Sequence, residues 1–332
     1  MKSRTKVTIN DATIKKLFEK AGIPDAENIS PLGAGEFNAV YSVDAGGQHY
    51  AIKIAPKKDD KILTYEEGMI EQEVYYYGLM EEAGIRVPEI FSADFSRTDI
   101  PTEYFIMERL GGKTIDQAGL TNKEWPMINA KVAAMTAQMH AVKGEQFGYR
   151  QLGLHDTWYQ ALVGMVEQLI ADGKKLGHRS MHGLRLLAYI NQHRDLLEKV
   201  ECRLINFDIW PMNIICEKVD GEFQLAWIDP ERCLWGDRIA DFVCLDFMNM
   251  GLDNKTDALE AYNAATDSPI EITDEERIRY AIMVGYLALI MEVEKFARYN
   301  VFLKGWWRNF GASKFYFNFC FKQLSTLSSP VK

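Results

Sequence analysis

The chain has 332 residues, of which 47% are apolar and 12% aromatic, and a formal net charge of −9. That length is too great for one ordinary core and suits two compact parts, while the aromatic content excludes a disordered chain. The acidic balance, with no Lys/Arg run, argues against a nucleic-acid partner, because neutralising phosphates needs a basic surface.

In chain order, residues 11–22 read as a short amphipathic helix, followed by the turn-rich loop Leu32-Gly33-Ala34-Gly35-Glu36-Phe37-Asn38. Residues 39–54 read as a hairpin around Ala45-Gly46-Gly47. Helical spacing runs over 64–84, and 89–108 hold two more strands. At Gly111-Gly112 the character changes. Helices are expected over 121–143, 155–172, 179–198, 238–251, 256–266 and 273–299, with capping-box patterns at Thr121…Glu124 and Thr273…Glu276. Between them, 204–229 has short β-rich pieces flanking a loop. The expected organisation is α+β, with a strand-rich N-terminal lobe (1–110), a glycine hinge and a larger helical C-terminal lobe (111–332).

Cys202, Cys216, Cys233, Cys244 and Cys320 form no CxxC pair, so neither a disulfide framework nor a zinc site is expected. Buried thiols in a reducing cytoplasm are the simpler reading. The first residues have no apolar stretch of a secretory signal behind them. The longest apolar run, Ala281 to Met291, is too short to span a bilayer. A cytoplasmic location is expected, and neither a membrane nor a protein partner is implied.

Gly33 and Gly35 would let backbone N–H groups approach phosphates closely. A dinucleotide fingerprint would need glycine at 38 and a following helix; Asn38 and a strand stand there instead. Gly112-Lys113-Thr114 resembles the end of a Walker A loop, but its leading glycine position is Met107, and a hinge turn is preferred. On the strand Tyr50-Ala51-Ile52-Lys53-Ile54, Ala51 and Lys53 share one face and Ile52 and Ile54 the other. A small residue leaves room for a flat base, and a cation reaches its phosphates. On the 64–84 helix, Glu73 shares a stripe with Ile70, Tyr77 and Met80. A carboxylate there is costly unless paired. Either Lys53 pairs with it or it sits wet at the rim.

Asn206-Phe207-Asp208-Ile209-Trp210-Pro211-Met212-Asn213 is followed, 16 residues after Asn213, by Asp229. Asp208 can accept a hydroxyl proton, and Asn213 and Asp229 offer hard oxygens suited to Mg²⁺. Any one of these carboxylates is commonplace on a protein surface. The ordered set of glycine loop, Lys53, Glu73, Asp208, Asn213 and Asp229 is not, and it points to phosphoryl transfer.

From about residue 28 to about 250 the sequence resembles the aminoglycoside phosphotransferase and choline kinase family, relatives of the protein kinases. The resemblance lies in Leu32 to Tyr41, in Tyr104-Phe105-Ile106-Met107-Glu108-Arg109-Leu110-Gly111-Gly112, in Met139-His140, and in Ile228-Asp229-Pro230-Glu231 with Gly236-Asp237 and Asp241-Phe242. It implies a two-lobed protein-kinase-like fold, with a small antiparallel sheet and one long helix in the N-terminal lobe. It also implies a small-molecule kinase using Mg²⁺ and ATP or GTP on a small hydroxyl-bearing molecule. Asn38 would belong to the nucleotide loop, backbone groups at Glu108 and Leu110 would bond the purine, and His140 would be structural. Trp210 resembles the fructosamine kinase branch; Trp210, Glu231 and Trp235 are candidates for acceptor contact. The family usually has His-Gly where this chain has Asn206-Phe207. That change removes a ring that braces the metal-site backbone, and Asn206 is expected to keep the brace by hydrogen bonding. It also motivates an alternative, a weakly catalytic nucleotide-binding pseudokinase. A protein kinase is disfavoured, because Asp241 comes only 12 residues after Asp229 and no Ala-Pro-Glu segment follows. The aromatic-rich stretch 296–321 is read first as helix packing and second as an acceptor wall.

Overall fold

A computed structural model describes residues 7–33, 37–57 and 62–328. In chain order its elements are α1 (Asp11–Lys20), β1 (Glu27–Pro31), β2 (Ala39–Ala45), β3 (Gln48–Ile54), α2 (Met69–Glu82), β4 (Ile90–Asp94), β5 (Tyr104–Glu108) and β6 (Lys113–Thr114). Then follow α3 (Glu124–His140), α4 (Trp158–Lys175), α5 (Met181–Gln192), α6 (Arg194–Leu197), β7 (Arg203–Ile205), β8 (Ile214–Val219), β9 (Glu222–Trp227), β10 (Leu234–Gly236), α7 (Thr256–Ala264), α8 (Asp274–Arg298) and α9 (Lys304–Leu327). The chain divides into two compact units. One joins Met1–Lys61, Gly68–Ala118 and Met212–Glu231; the other joins Ile62–Glu67, Gly119–Pro211 and Arg232–Lys332.

The first unit is built on an antiparallel sheet in the order β1-β2-β3-β5-β4. Alternation along β3 decides its two faces. Tyr50, Ile52 and Ile54 join Ile14, Leu17 and Phe18 of α1, with Val43 and Ile106, in one apolar core. Ala51 and Lys53 point the other way, where Phe105 lies opposite Lys53 in register. On that side α2 brings Tyr77 edge-on to Phe105, ring centroids 6.3 Å apart. The single helix expected over 64–84 is corrected. A 3-10 turn at Thr64–Glu66 stops short, and Gly68, at φ 71°, separates it from α2. That left-handed conformation suits glycine and cannot continue a helix. A second antiparallel sheet, β6-β8-β9, also belongs to this unit.

The second unit is mainly helical. From Tyr280 to Ile290 every residue of α8 is buried, as befits a helix that is apolar all round. Its start carries the expected capping box of Thr273 and Glu276. At α3 the expected box is altered: the Glu124 carboxylate accepts from both the backbone N–H and the hydroxyl of Thr121. Two further helices are corrected. The 179–198 stretch breaks at His193 into α5 and α6. The 238–251 stretch is a 3-10 helix over Arg238–Val243 and then irregular, with Asp246 at φ 51°. The buried Lys255 ammonium takes the carbonyls of Leu245 (2.8 Å) and Asp246 (2.6 Å), groups that a continuing helix would need for itself. In the aromatic C-terminal stretch, α9 buries Phe317 and Phe321, stacked at 5.5 Å. Phe302, Trp307 and Phe315 remain exposed. Among the described residues no helix is long and apolar enough to cross a membrane.

Helix α8 approaches α5 and α9 closely at Gly285. A Cβ there would stand 2.8 Å from Cys320 Sγ of α9 and 2.8 Å from Leu186 Cδ1 of α5. Gly285→Ala is therefore expected to overpack the seam and to cost about 1–3 kcal/mol, read as a lower urea midpoint. An unchanged midpoint would mean that the seam can spread at no cost.

Candidate functional site

Strand β3 and helix α2 place Lys53 and Glu73 side by side. Lys53 Nζ lies 2.6 Å from Glu73 Oε2, with side-chain exposures of 5% and 0%. Of the two readings open for Glu73, the paired one holds. The same ammonium contacts Asp229 Oδ1 and lies 3.4 Å from Glu231 Oε2. Glu231 accepts a bond of 2.8 Å from Asn38 Nδ2. Oxygens of Glu73, Asp229 and Glu231 all lie within 4.8 Å of one another. Burial alone would lower the pKa of Lys53, but Asp229, Glu73 and Glu231 outweigh it and hold the ammonium well above the ordinary lysine value. Burial pushes Glu73 up to about 7, against the opposing pull of Lys53.

The backbone that carries Asp229 is pinned along its length. Trp227 N–H donates to the Arg86 carbonyl (3.0 Å) and Ile228 N–H to the Asn213 carbonyl (2.9 Å). Asp229 N–H donates to Tyr77 Oη at 2.9 Å. These bonds hold Asp229 in a left-handed conformation, φ 60°, which turns the chain between β9 and Glu231. Asn213 is buried at the entry to β8. Carboxylate and amide oxygens are hard donors, and the chemistry of this set fits Mg²⁺.

Other expected residues surround this group less directly. Gly33 has φ 74°, whereas Gly35 lies outside the described residues. Ala51 is buried beside Met107 in register. Glu108 ends β5; its N–H donates to the Glu89 carbonyl at 2.8 Å and its carboxylate meets Arg86. Leu110 follows two residues on.

Asp208 belongs to the second unit, on the loop that leaves β7. Buried Asp241 organises that loop: it accepts the N–H groups of Asn206 (3.0 Å) and Phe207 (2.5 Å). Asp241 is held in turn by His140 Nε2 at 2.9 Å, and His140 Nδ1 meets Tyr262 Oη at 2.9 Å. His140 is thus a structural residue, as expected. The Asn206 brace is corrected. Its side chain is fully buried and neither Oδ1 nor Nδ2 has a hydrogen-bond partner among the described residues. The aspartate, not the asparagine, holds the backbone. Phe207 has φ 55°, which costs a side-chain-bearing residue about 1–2 kcal/mol. Its ring is fully buried, 5.6 Å from Tyr286, and that burial offsets the strain. Trp210 donates its N–H to the Asp208 carbonyl (2.8 Å), and its ring lies edge-on to Phe247 at 5.2 Å. Trp235 is buried in β10, so close to Gly144 that a Cβ there would meet its ring at 2.5 Å.

Asn38, Lys53, Glu73, Asp229 and Glu231 are therefore brought together in one unit; Asp208 and Trp210 stand in the other. Sequence reasoning missed the bond from Asn38 to Glu231 and the role of Tyr77 as acceptor for Asp229. Tyr77 was legible only as an apolar stripe residue one turn after Glu73.

The profile of the phosphotransferase enzyme family matches residues 28–280. The chain belongs to that family. No curated protein matches its sequence. Among solved structures, this phosphotransferase is similar to a Ralstonia eutropha protein provisionally named an aminoglycoside phosphotransferase, with TM-score 0.65 and 16% identity over 95% of this chain and 99% of that one. It is equally similar to aminoglycoside phosphotransferase APH(4)-Ia, whose thermostable mutant was solved with AMP-PNP and hygromycin B, with TM-score 0.65 and 16% identity over 96% and 99%. A Haemophilus somnus protein provisionally named a fructosamine-3-kinase follows at TM-score 0.56 and 18% identity over 95% and 97%. At these identities the likeness is one of fold. The phosphotransferase has the α+β, protein-kinase-like fold, with an antiparallel sheet in its N-terminal part and a mainly helical C-terminal part.

Two outcomes test this geometry. Lys53→Met strips Glu73 of its cation and is expected to cost about 3–5 kcal/mol at neutral pH. Glu73's folded pKa lies above its unfolded value, so the folded form holds the extra proton and stability is lost as pH rises through about 7. The variant's denaturation midpoint should fall more steeply than wild type between pH 5 and pH 8, and adding Glu73→Gln should remove the difference. Parallel slopes would contradict the pairing. Asn206→Leu, which removes two unpaired buried polar atoms, is expected to hold or raise the thermal midpoint by the equivalent of about 1 kcal/mol. A marked loss would mean that Asn206 does bond in solution.

Proposed function

We propose that this phosphotransferase is a small-molecule kinase that transfers the terminal phosphate of ATP or GTP to a hydroxyl group, with Mg²⁺. The observation that carries the reading is the buried Lys53–Glu73 pair with Asp229 at the same ammonium. Lys53 and Glu73 leave water almost completely, whereas a strand lysine with no further part to play would ordinarily stay exposed.

In this reading Lys53 binds the nucleotide phosphates and Glu73 orients it. Gly33, Gly35 and Asn38 line the phosphate loop, Ala51 leaves room for the base, and the backbone at Glu108 and Leu110 bonds the purine. Asn213 and Asp229 hold Mg²⁺, which supplies charge neutralisation on the phosphates. Asp208 accepts or orients the proton of the acceptor hydroxyl, and Trp210 contacts the acceptor. The work of the chain is positioning and electrostatics, with little covalent chemistry. APH(4)-Ia in complex with hygromycin B supports a small hydroxyl-bearing acceptor. The N-terminal lobe, 1–110, would be the nucleotide lobe and 111–332 the catalytic and acceptor lobe, in a cytoplasmic protein.

One observation favours a second reading, a nucleotide-binding protein of weak turnover. The loop before Asp208 carries an Asn206 whose side chain has no hydrogen-bond partner among the described residues, and a left-handed Phe207. Thermal unfolding with Mg²⁺-ATP and Mg²⁺-GTP, followed by nucleotide consumption over a panel of hydroxyl-bearing acceptors, separates the two. A metal-dependent rise in midpoint is expected, because a ligand of the folded state stabilises it by mass action. Asp208→Ala should keep that rise and lose turnover by about 10²-fold or more. Full turnover in Asp208→Ala would remove Asp208 from its role. A midpoint rise without turnover in the wild-type protein would favour the second reading.

A further inference from the structure

Glu231 was expected at the acceptor, yet its carboxylate is tied into the Lys53 group. Oε2 accepts from Asn38 Nδ2 at 2.8 Å and lies 3.4 Å from Lys53 Nζ. Both partners are buried, Asn38 at 7% and Lys53 at 4% exposure, and the Glu231 side chain is 12% exposed. Asn38 stands immediately before β2, at the end of the glycine loop. Lys53 stands near the end of β3, and the two strands pair so that Ala39 lies opposite Ile54 and Val40 opposite Lys53. The strands alone would leave the Asn38 side chain and the Lys53 ammonium independent. A single carboxylate oxygen joins them.

We propose that Glu231 is a positioning residue that fastens the end of the glycine loop to the phosphate-binding lysine and makes nucleotide binding conditional on a divalent cation; this rests on the kinase reading above. Two physical consequences follow. First, the loop end and the ammonium move as one, because displacing either breaks a buried bond to the same oxygen. A buried acceptor stripped of its donor costs more than an exposed one. Second, Glu73, Asp229 and Glu231 set three carboxylates around one ammonium. A nucleotide polyphosphate brought there without a cation meets an excess of negative charge. Glu73 and Asp229 contribute to that excess, but Glu231 is the carboxylate that also grips the loop.

Two substitutions divide these consequences. Glu231→Gln removes the charge and keeps an oxygen for Asn38. Glu231→Ala removes both. Nucleotide affinity is measured by calorimetry with ADP, in Mg²⁺ and in EDTA. Amide hydrogen exchange over Phe37–Val40 is measured on the protein without nucleotide. For Glu231→Gln, the ratio of the two dissociation constants is expected to shrink about tenfold, chiefly through tighter binding in EDTA, as one unit charge is taken from beside the phosphates. Exchange in this variant should stay near wild type. For Glu231→Ala, exchange over Phe37–Val40 should rise about tenfold through easier local opening, and affinity in Mg²⁺ should fall.

Unchanged exchange in Glu231→Ala overturns the fastening, whatever the nucleotide data. An unchanged affinity ratio in Glu231→Gln overturns the cation dependence. If wild type binds no nucleotide but exchange rises in Glu231→Ala, the fastening stands and the kinase reading falls.

Discussion

One ammonium, buried among three carboxylates, governs the first unit. Desolvating Lys53 is expensive, and only charge at close range repays it. Glu73 supplies that charge from a position with no exposure at all, so neither partner can leave without exposing the other to the full penalty. The rest of the unit keeps them there. The alternation of β3 sends Ile52 and Ile54 into the α1 core, which leaves Lys53 no choice of face. The stripe on α2 places Tyr77 one turn after Glu73, where its hydroxyl takes the Asp229 N–H. Sheet, helix and the 227–229 turn thus converge on one nitrogen atom.

A different economy operates around Asp208. Its loop is positioned by a chain of neutral and charged partners: Tyr262 to His140, His140 to Asp241, Asp241 to two backbone N–H groups. A buried carboxylate accepting several such bonds is well satisfied. The side chain of Asn206 adds no bond to this system among the described residues. It occupies space that the aspartate has already made sufficient.

Much of this was legible in the sequence, because the residues involved are constrained locally. The face of Lys53 follows from a period of two, the stripe of Glu73 from a period of 3.6, and the order of Asp208, Asn213 and Asp229 from the family pattern. What escaped depends on distant pairings. Nothing in residues 32–41 shows that Asn38 meets Glu231, 193 positions later. Nothing in 238–251 shows that Lys255 will capture the carbonyls that would have extended a helix. Gly68 was visible as a residue, but its power to divide 64–84 appears only with its left-handed φ. The brace assigned to Asn206 failed for a related reason: hydrogen-bonding capacity is written in the residue type, whereas a partner is not.

Phe207 shows how strain and burial are balanced beside a candidate catalytic group. The backbone there is left-handed, which explains why glycine suits the position in the resembling family. Phenylalanine bears the conformational cost of about 1–2 kcal/mol, and burying its ring against Tyr286 returns about as much or more. The balance has a structural consequence. With glycine, the loop's shape depends mainly on Asp241's bonds. With phenylalanine, the ring is a second anchor, and the N–H bond to Asp241 and the ring's packing must be satisfied together. Two anchors on one residue leave the loop less able to adjust. A loop so fixed holds its backbone, and with it that of Asp208, in one arrangement, and the constraint arises wholly within the second unit, whereas the Lys53 group belongs to the first.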